Sequence, residues 1–159
     1  MNKLVAYFSA SGSTARLAQT LASVADAALY EIRPELLYER RDLNCMDKKS
    51  RSTLEMQDPN CRPALADTAA PVAEADVVFL GFPIWWYREP SIIDSFLDAY
   101  DFSGKTVVPF FTSGGSQLGE GQDRIEKLAK GAKILSGKRF SARASETELK
   151  NWITGLPLA

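Results

Sequence analysis

The feature that most constrains this sequence is a series of short apolar runs that do not alternate with polar residues. Leu4-Val5-Ala6-Tyr7-Phe8, Asp76-Val77-Val78-Phe79-Leu80-Gly81 and the run from Lys105 to Thr112 each give way to a loop of small, polar or aromatic residues. A strand with one wet face alternates, whereas a strand covered on both faces reads as continuously apolar. The runs therefore predict parallel strands sandwiched between helices.

Helical spacing follows most of the runs. Leu17, Ala18, Leu21, Ala22 and Ala25 recur after the first, with Thr14 placed to cap that helix. Ile92, Ile93, Phe96, Leu97 and Tyr100 share a face farther on, with Pro90 at the first helical position. A second strand, Ala28 to Ile32, stops before Pro34, and a helix near Asp123 to Lys130 ends at Gly131. A short fifth strand is expected near Ile134. Ser145 and Glu148 have capping-box spacing for a last helix through Trp152, with Gly155 and Pro157 as its stop. Alternating units of this kind predict an α/β fold around a parallel sheet.

At 159 residues, 45% of them hydrophobic, the chain is sized for one such domain spanning 1–159. Residues 35 to 75 show little periodicity, and one helix around Leu43 to Met56 is the best reading of them. The charges Arg40, Arg41, Asp42, Asp47, Lys48, Lys49 and Arg51 read there as a solvated face. A net charge of -1 and the lack of histidine argue against a nucleic-acid partner, imidazole catalysis and histidine metal ligation, and no metal site is expected. Cys45 and Cys61 lack CxxC spacing and read as unpaired thiols. The first apolar run is too short for a signal peptide or a membrane span, so a cytoplasmic location without a membrane partner is expected.

In an open parallel sheet, ligands bind beyond the carboxyl ends of the strands where the strand order reverses, which makes the loops after strands one, three and four informative. The first, Ser9-Ala10-Ser11-Gly12-Ser13-Thr14, sets four hydroxyls and a glycine just before a helix. Backbone N–H groups and the helix dipole suit a phosphate there, while the absence of GxxxxGK[ST] and GxGxxG disfavours triphosphates and the usual dinucleotide mode. A solvent turn with an ordinary cap is the competing reading. The second loop, Phe82-Pro83-Ile84-Trp85-Trp86-Tyr87-Arg88-Glu89-Pro90, holds three consecutive aromatics. Consecutive side chains cannot all enter one core, so at least one ring is exposed or covers something flat, unless two rings are core and the third caps the sheet. The third, Thr112-Ser113-Gly114-Gly115-Ser116-Gln117-Leu118-Gly119, offers backbone donors with little bulk, suited to the edge of a planar ring.

These segments, with Pro109-Phe110-Phe111 leading into the third, resemble the flavodoxin family from Leu4 to about Trp152, apart from residues 35 to 75. The resemblance implies a three-layer α/β/α doubly wound sandwich, a five-stranded parallel sheet of order 2-1-3-4-5 and noncovalent FMN. It implies that Ser9, Ser11, Gly12, Ser13 and Thr14 hold the phosphate and that Pro83, Ile84, Trp85, Trp86 and Tyr87 line the ring. Thr112, Ser113, Gly114, Gly115 and Ser116, with Gly119 in the same loop, would bond the ring's polar edge. No catalytic acid or base is implied, because the flavin carries the redox chemistry. Two features differ from that family: the charge is near zero where shuttle flavodoxins are strongly acidic, and no glycine lies between Pro83 and Pro90.

Two functions follow as expectations. One is an electron carrier docking a redox partner protein; the other is an NAD(P)H-dependent FMN reductase acting on quinones or similar acceptors. The near-neutral charge favours the reductase, while the small size and the lack of an evident nicotinamide motif favour the carrier. Exposed aromatics near Trp85 would also suit a homodimer contact. A receiver domain would need acidic residues at the ends of strands one and three, and Phe8-Ser9 and Gly81-Phe82 offer none. A cysteine phosphatase would need its thiolate in the phosphate loop, and both cysteines lie elsewhere.

Overall fold

A computed structural model describes residues 1–158 other than Gly114 and Ser116. Its strands are β1 (Lys3–Tyr7), β2 (Ala28–Glu31), β3 (Val77–Pro83), β4 (Thr106–Thr112), β5 (Lys133–Ile134) and β6 (Lys138–Arg139). The sheet order is β2-β1-β3-β4-β5, and every pairing within it is parallel. β5 lies against Thr106 and Val107 while β6 lies against Phe110 and Phe111, so the two short pieces form one interrupted edge strand. The interruption falls opposite Pro109, which has no N–H to give the ladder. Gly137 in the gap donates its N–H to Gln122 Oε1 instead, at 3.0 Å.

Both sheet faces are covered, which explains the missing alternation. Leu4, Ala6, Phe8, Val78, Leu80, Phe82 and Phe111 pack on one face with α3 (Ser91–Ala99) and α4 (Gly121–Leu128). Val5, Tyr7, Val77, Phe79 and Phe110 pack on the other with α1 (Ser13–Ala25) and α5 (Glu146–Thr154). Gly81 is fixed by this packing, because a Cβ on it would lie 2.2 Å from the Phe110 ring. Ser145 Oγ accepts the Glu148 N–H at 3.1 Å and so opens α5 as its spacing predicts.

Several local expectations differ. Thr14 lies inside α1 rather than at its cap: the cap position is Gly12, with φ 96° and no capping side chain, because only glycine enters the left-handed region freely. Pro90 is the cap residue of α3 rather than its first helical residue. In place of one helix from Leu43 to Met56 there is a 3₁₀ turn at Arg40–Leu43 and a short α2 at Arg51–Gln57. Arg51 leaves the solvated face, since its guanidinium lies 3.9 Å from the Tyr38 ring centroid and its Nε 3.0 Å from Glu55. Cys45 and Cys61 are free thiols. Among the described residues, no helix is long and apolar enough to cross a membrane.

Candidate functional site

The strand order reverses between β1 and β3, and the loops after β1, β3 and β4 meet at their carboxyl ends. Ser11, Gly12 and Ser13 are exposed, and the Gly12 N–H donates to Ser9 Oγ at 3.1 Å. Gly12 brings no side chain to cap α1, so the N–H groups of its first turn, which have no acceptor within a helix, face outward from a hydroxyl-rich loop. Thr14 points the other way. Its hydroxyl is buried 2.9 Å from that of Thr112 and joins the first loop to the end of β4.

The second loop closes on itself. Trp85 N–H donates to the Arg88 carbonyl at 3.0 Å and Arg88 N–H to the Trp85 carbonyl at 3.1 Å. Between them Trp86 (φ 51°) and Tyr87 (φ 66°) are both left-handed, the conformation of a two-residue mirror-image turn that usually takes glycine or asparagine. The turn sorts the three rings. Trp85 points inward and meets Phe8 and Tyr38 edge-on, with centroids 5.6 and 5.3 Å away, while Trp86 and Tyr87 are 46% and 72% exposed. The Ile84 N–H donates to the Thr112 carbonyl at 2.9 Å, so Pro83 and Ile84 are held beside the third loop.

In the third loop, Gly115 N–H donates to Ser113 Oγ at 3.3 Å. Gly119 has φ 60°, and a Cβ there would stand 2.8 Å from the Tyr87 carbonyl oxygen, so it has to be glycine for the two loops to touch. Gly114 and Ser116 lie outside the described residues.

Two adjoining cavities result. One, of about 340 Å³, is lined by Ser11, Ser13, Ile84, Trp85, Thr112 and Arg139, among others. The other, of about 510 Å³, is lined mainly by apolar side chains, with Trp85, Trp86 and Tyr87 on one side and Leu43, Cys45 and Met46 on the other. They share Ile84 and Trp85. The cavities bring together the hydroxyl loop, the aromatic turn and Thr112 with Ser113. Ser9, Gly12, Gly115 and Gly119 line neither cavity, and the buried Thr14 hydroxyl turns to Thr112 instead.

Comparison with known proteins agrees with this fold. The family model described as Flavodoxin matches residues 2–156. The chain belongs to the flavodoxin family. A candidate flavoprotein from Bacteroides uniformis shares 42% identity, with 96% of this chain and 97% of that one covered and a TM-score of 0.91. Another candidate flavoprotein, from Bacteroides eggerthii, shares 40% identity over 96% of each chain with a TM-score of 0.90. A flavoprotein from Lactobacillus acidophilus, solved in complex with FMN, shares the fold at 22% identity and a TM-score of 0.70, with 96% and 98% covered. No curated protein matches this chain.

What holds the aromatic turn of this flavodoxin-family chain is a buried ionic cluster that lies directly after it. Arg88, Glu89 and Asp94 are at most 2% exposed. Arg88 lies 3.8 Å from Glu89 and 3.5 Å from Asp94, and Arg124 of α4 reaches Glu89 at 3.1 Å and Asp94 at 2.5 Å. Arg62 adds a contact to Asp94 at 3.7 Å. Burial, together with a hydrogen bond and charge repulsion from Asp94, pushes the Glu89 carboxyl up to about 9, against the opposing pull of Arg124 and Arg88. Glu89 Oε1 and Asp94 Oδ1 are the two buried side-chain oxygens lacking a partner among the described residues. A proton on Glu89 would let its carboxyl donate to Asp94, the hydrogen bond that helps to raise it.

The sequence reading missed this cluster and the far wall of the larger cavity. Arg88 and Glu89 carry no local signal of burial, because their partners are supplied by α3, α4 and residue 62. Leu43, Cys45 and Met46 lie in an aperiodic stretch, and only the tertiary fold brings them opposite Trp86.

Proposed function

We propose that this chain binds FMN noncovalently across the two adjoining cavities and carries electrons through it, exchanging them with a redox partner in the cytoplasm. The observation that carries the reading is the meeting of an uncapped, hydroxyl-rich helix start with an aromatic turn at the point where the strand order reverses. The donor set fits the group. First-turn N–H groups of α1 and the hydroxyls of Ser11 and Ser13 suit a phosphate monoester, and the rings of Trp85 and Trp86 with the apolar wall at Leu43 and Met46 suit a flat aromatic system. Bound FMN would supply one- and two-electron transfer.

The chain's own residues orient and shield. Ser9, Ser11, Gly12 and Ser13 would hold the phosphate, and Thr14 would fix that loop through Thr112. Pro83 to Tyr87 would line the ring, and Thr112, Ser113 and Gly115 would meet its polar edge. The fold relative from Lactobacillus acidophilus in complex with FMN supports the choice of cofactor.

A second reading, an NAD(P)H-dependent FMN or quinone reductase, is favoured by the size and apolar lining of the cavity of about 510 Å³, which has room for a flat acceptor. Two measurements test the pair. Flavin released by heating the purified protein should migrate as FMN, and a colourless protein that takes up no flavin contradicts both readings. Rapid NAD(P)H oxidation by the holoprotein with a quinone present would replace the carrier reading with the reductase.

A further inference from the structure

The first loop and the start of α1, residues 9–15, carry no charged side chain, so a dianionic phosphate there would meet only hydroxyls, backbone N–H groups and the helix dipole. One cation nevertheless lines the smaller cavity together with Ser11 and Ser13: Arg139, the last residue of β6. Its position follows from the sheet, since Arg139 pairs with Phe111 and so emerges at the carboxyl edge beside Ser113. There the guanidinium is fixed to the third loop. Nε donates to the Ser113 carbonyl at 3.3 Å and to Ser113 Oγ at 3.2 Å, and Nη2 donates to the same carbonyl at 3.2 Å.

Those bonds engage Nε–H and one N–H of Nη2, two of the five donors of a guanidinium. Arg139 has no carboxylate within ion-pair distance among the described residues, unlike Arg62, Arg88 and Arg124. A charge held in place by neutral groups, with no carboxylate partner among the described residues, in a cavity of about 340 Å³ that Ser11 and Ser13 also line, is arranged for an anion brought from outside.

We propose that Arg139 supplies the positive charge for the ligand's phosphate, so that this chain separates FMN from its unphosphorylated counterpart riboflavin by charge as well as by hydroxyls. The inference rests on the reading of the site as an FMN site. It assigns the end of the fifth strand a role in cofactor choice, and it makes cofactor affinity fall with salt.

The test is a set of fluorescence titrations of FMN and of riboflavin into flavin-stripped wild-type, Arg139→Gln and Arg139→Lys proteins, at low and high ionic strength. Loss of a charge-assisted hydrogen bond should weaken FMN binding to Arg139→Gln about tenfold or more, with riboflavin binding unchanged and the salt dependence flattened. Arg139→Lys should keep much of the FMN preference. Equal weakening of both flavins would show that Arg139 only holds the third loop through Ser113, and would overturn the proposal. So would FMN affinity unchanged in Arg139→Gln while wild type binds FMN. Wild-type protein that binds neither flavin would overturn the FMN reading itself.

Discussion

The hydroxyls of Thr14 and Thr112, 98 residues apart in the chain, form a buried hydrogen bond of 2.9 Å that ties the first turn of α1 to the end of β4. Thr14→Val leaves the Thr112 hydroxyl buried without that partner, which should cost about 1–3 kcal/mol of stability. Urea unfolding should show the loss, and Thr14→Val/Thr112→Val should recover part of it. FMN affinity should fall several-fold in the single variant, because both loops shift together.

Ser13 is exposed at the first position of α1 and lines the smaller cavity. A carboxylate there suits the helix dipole but repels a phosphate. Ser13→Glu should therefore leave the melting temperature unchanged or slightly raised while FMN titration shows binding abolished. Unchanged affinity would refute the placement of the phosphate.

Gly81→Ala puts a Cβ 2.2 Å from the Phe110 ring in the middle of the sheet. The ring belongs to the same buried core as Val5, Tyr7 and Phe79. Overpacking of this kind should cost about 2–3 kcal/mol, read as a lowered denaturation midpoint without a change in slope.

Tyr87 occupies a left-handed turn position with most of its side chain in solvent. Tyr87→Gly removes the Cβ penalty and little burial, at the cost of a looser unfolded chain. Stability should rise by about 0.5–1 kcal/mol in chemical denaturation. A fall of that size would mean that the Tyr87 ring contributes more to the native state than its exposure suggests.

The Glu89 carboxyl is pushed up to about 9 in the folded protein, well above its ordinary range, because burial and Asp94 disfavour its charge. The unfolded chain loses that proton near pH 4 to 5, so between there and pH 9 the folded state binds more protons. Stability is full below the unfolded value and falls as pH rises toward 9, with a limiting slope of about 1.4 kcal/mol per pH unit for one proton. Glu89→Gln, which stays neutral, should flatten that slope in urea unfolding between pH 5 and 9. An unchanged slope would assign the proton elsewhere.

The fold was legible because its signals are local. Leu4 to Phe8 and Val77 to Phe82 declare two-sided burial by failing to alternate, and Ser145 opens α5 by a contact three residues away. Of the site, Ser11 to Ser13 and Trp85 to Tyr87 were visible as unusual composition in loops the topology brings together. The Thr14 hydroxyl was misread because its partner lies 98 residues off and nothing near it distinguishes a cap from an inward tie. Arg88 and Glu89 looked like any charged pair, since their burial depends on Asp94 and Arg124 from other elements. Leu43 and Met46 have no periodicity to show, and Arg139 stands at a strand end that Pro109 interrupts.

Binding of FMN is the claim on which the rest depends, and titration of FMN into flavin-stripped protein tests it most directly. Flavin fluorescence should be quenched saturably by contact with Trp85 or Trp86, with an endpoint of one FMN per chain. No quenching, together with no flavin absorbance in the protein as first purified, would mean that the cavities around Ile84 and Trp85 hold some other ligand, and would contradict the account.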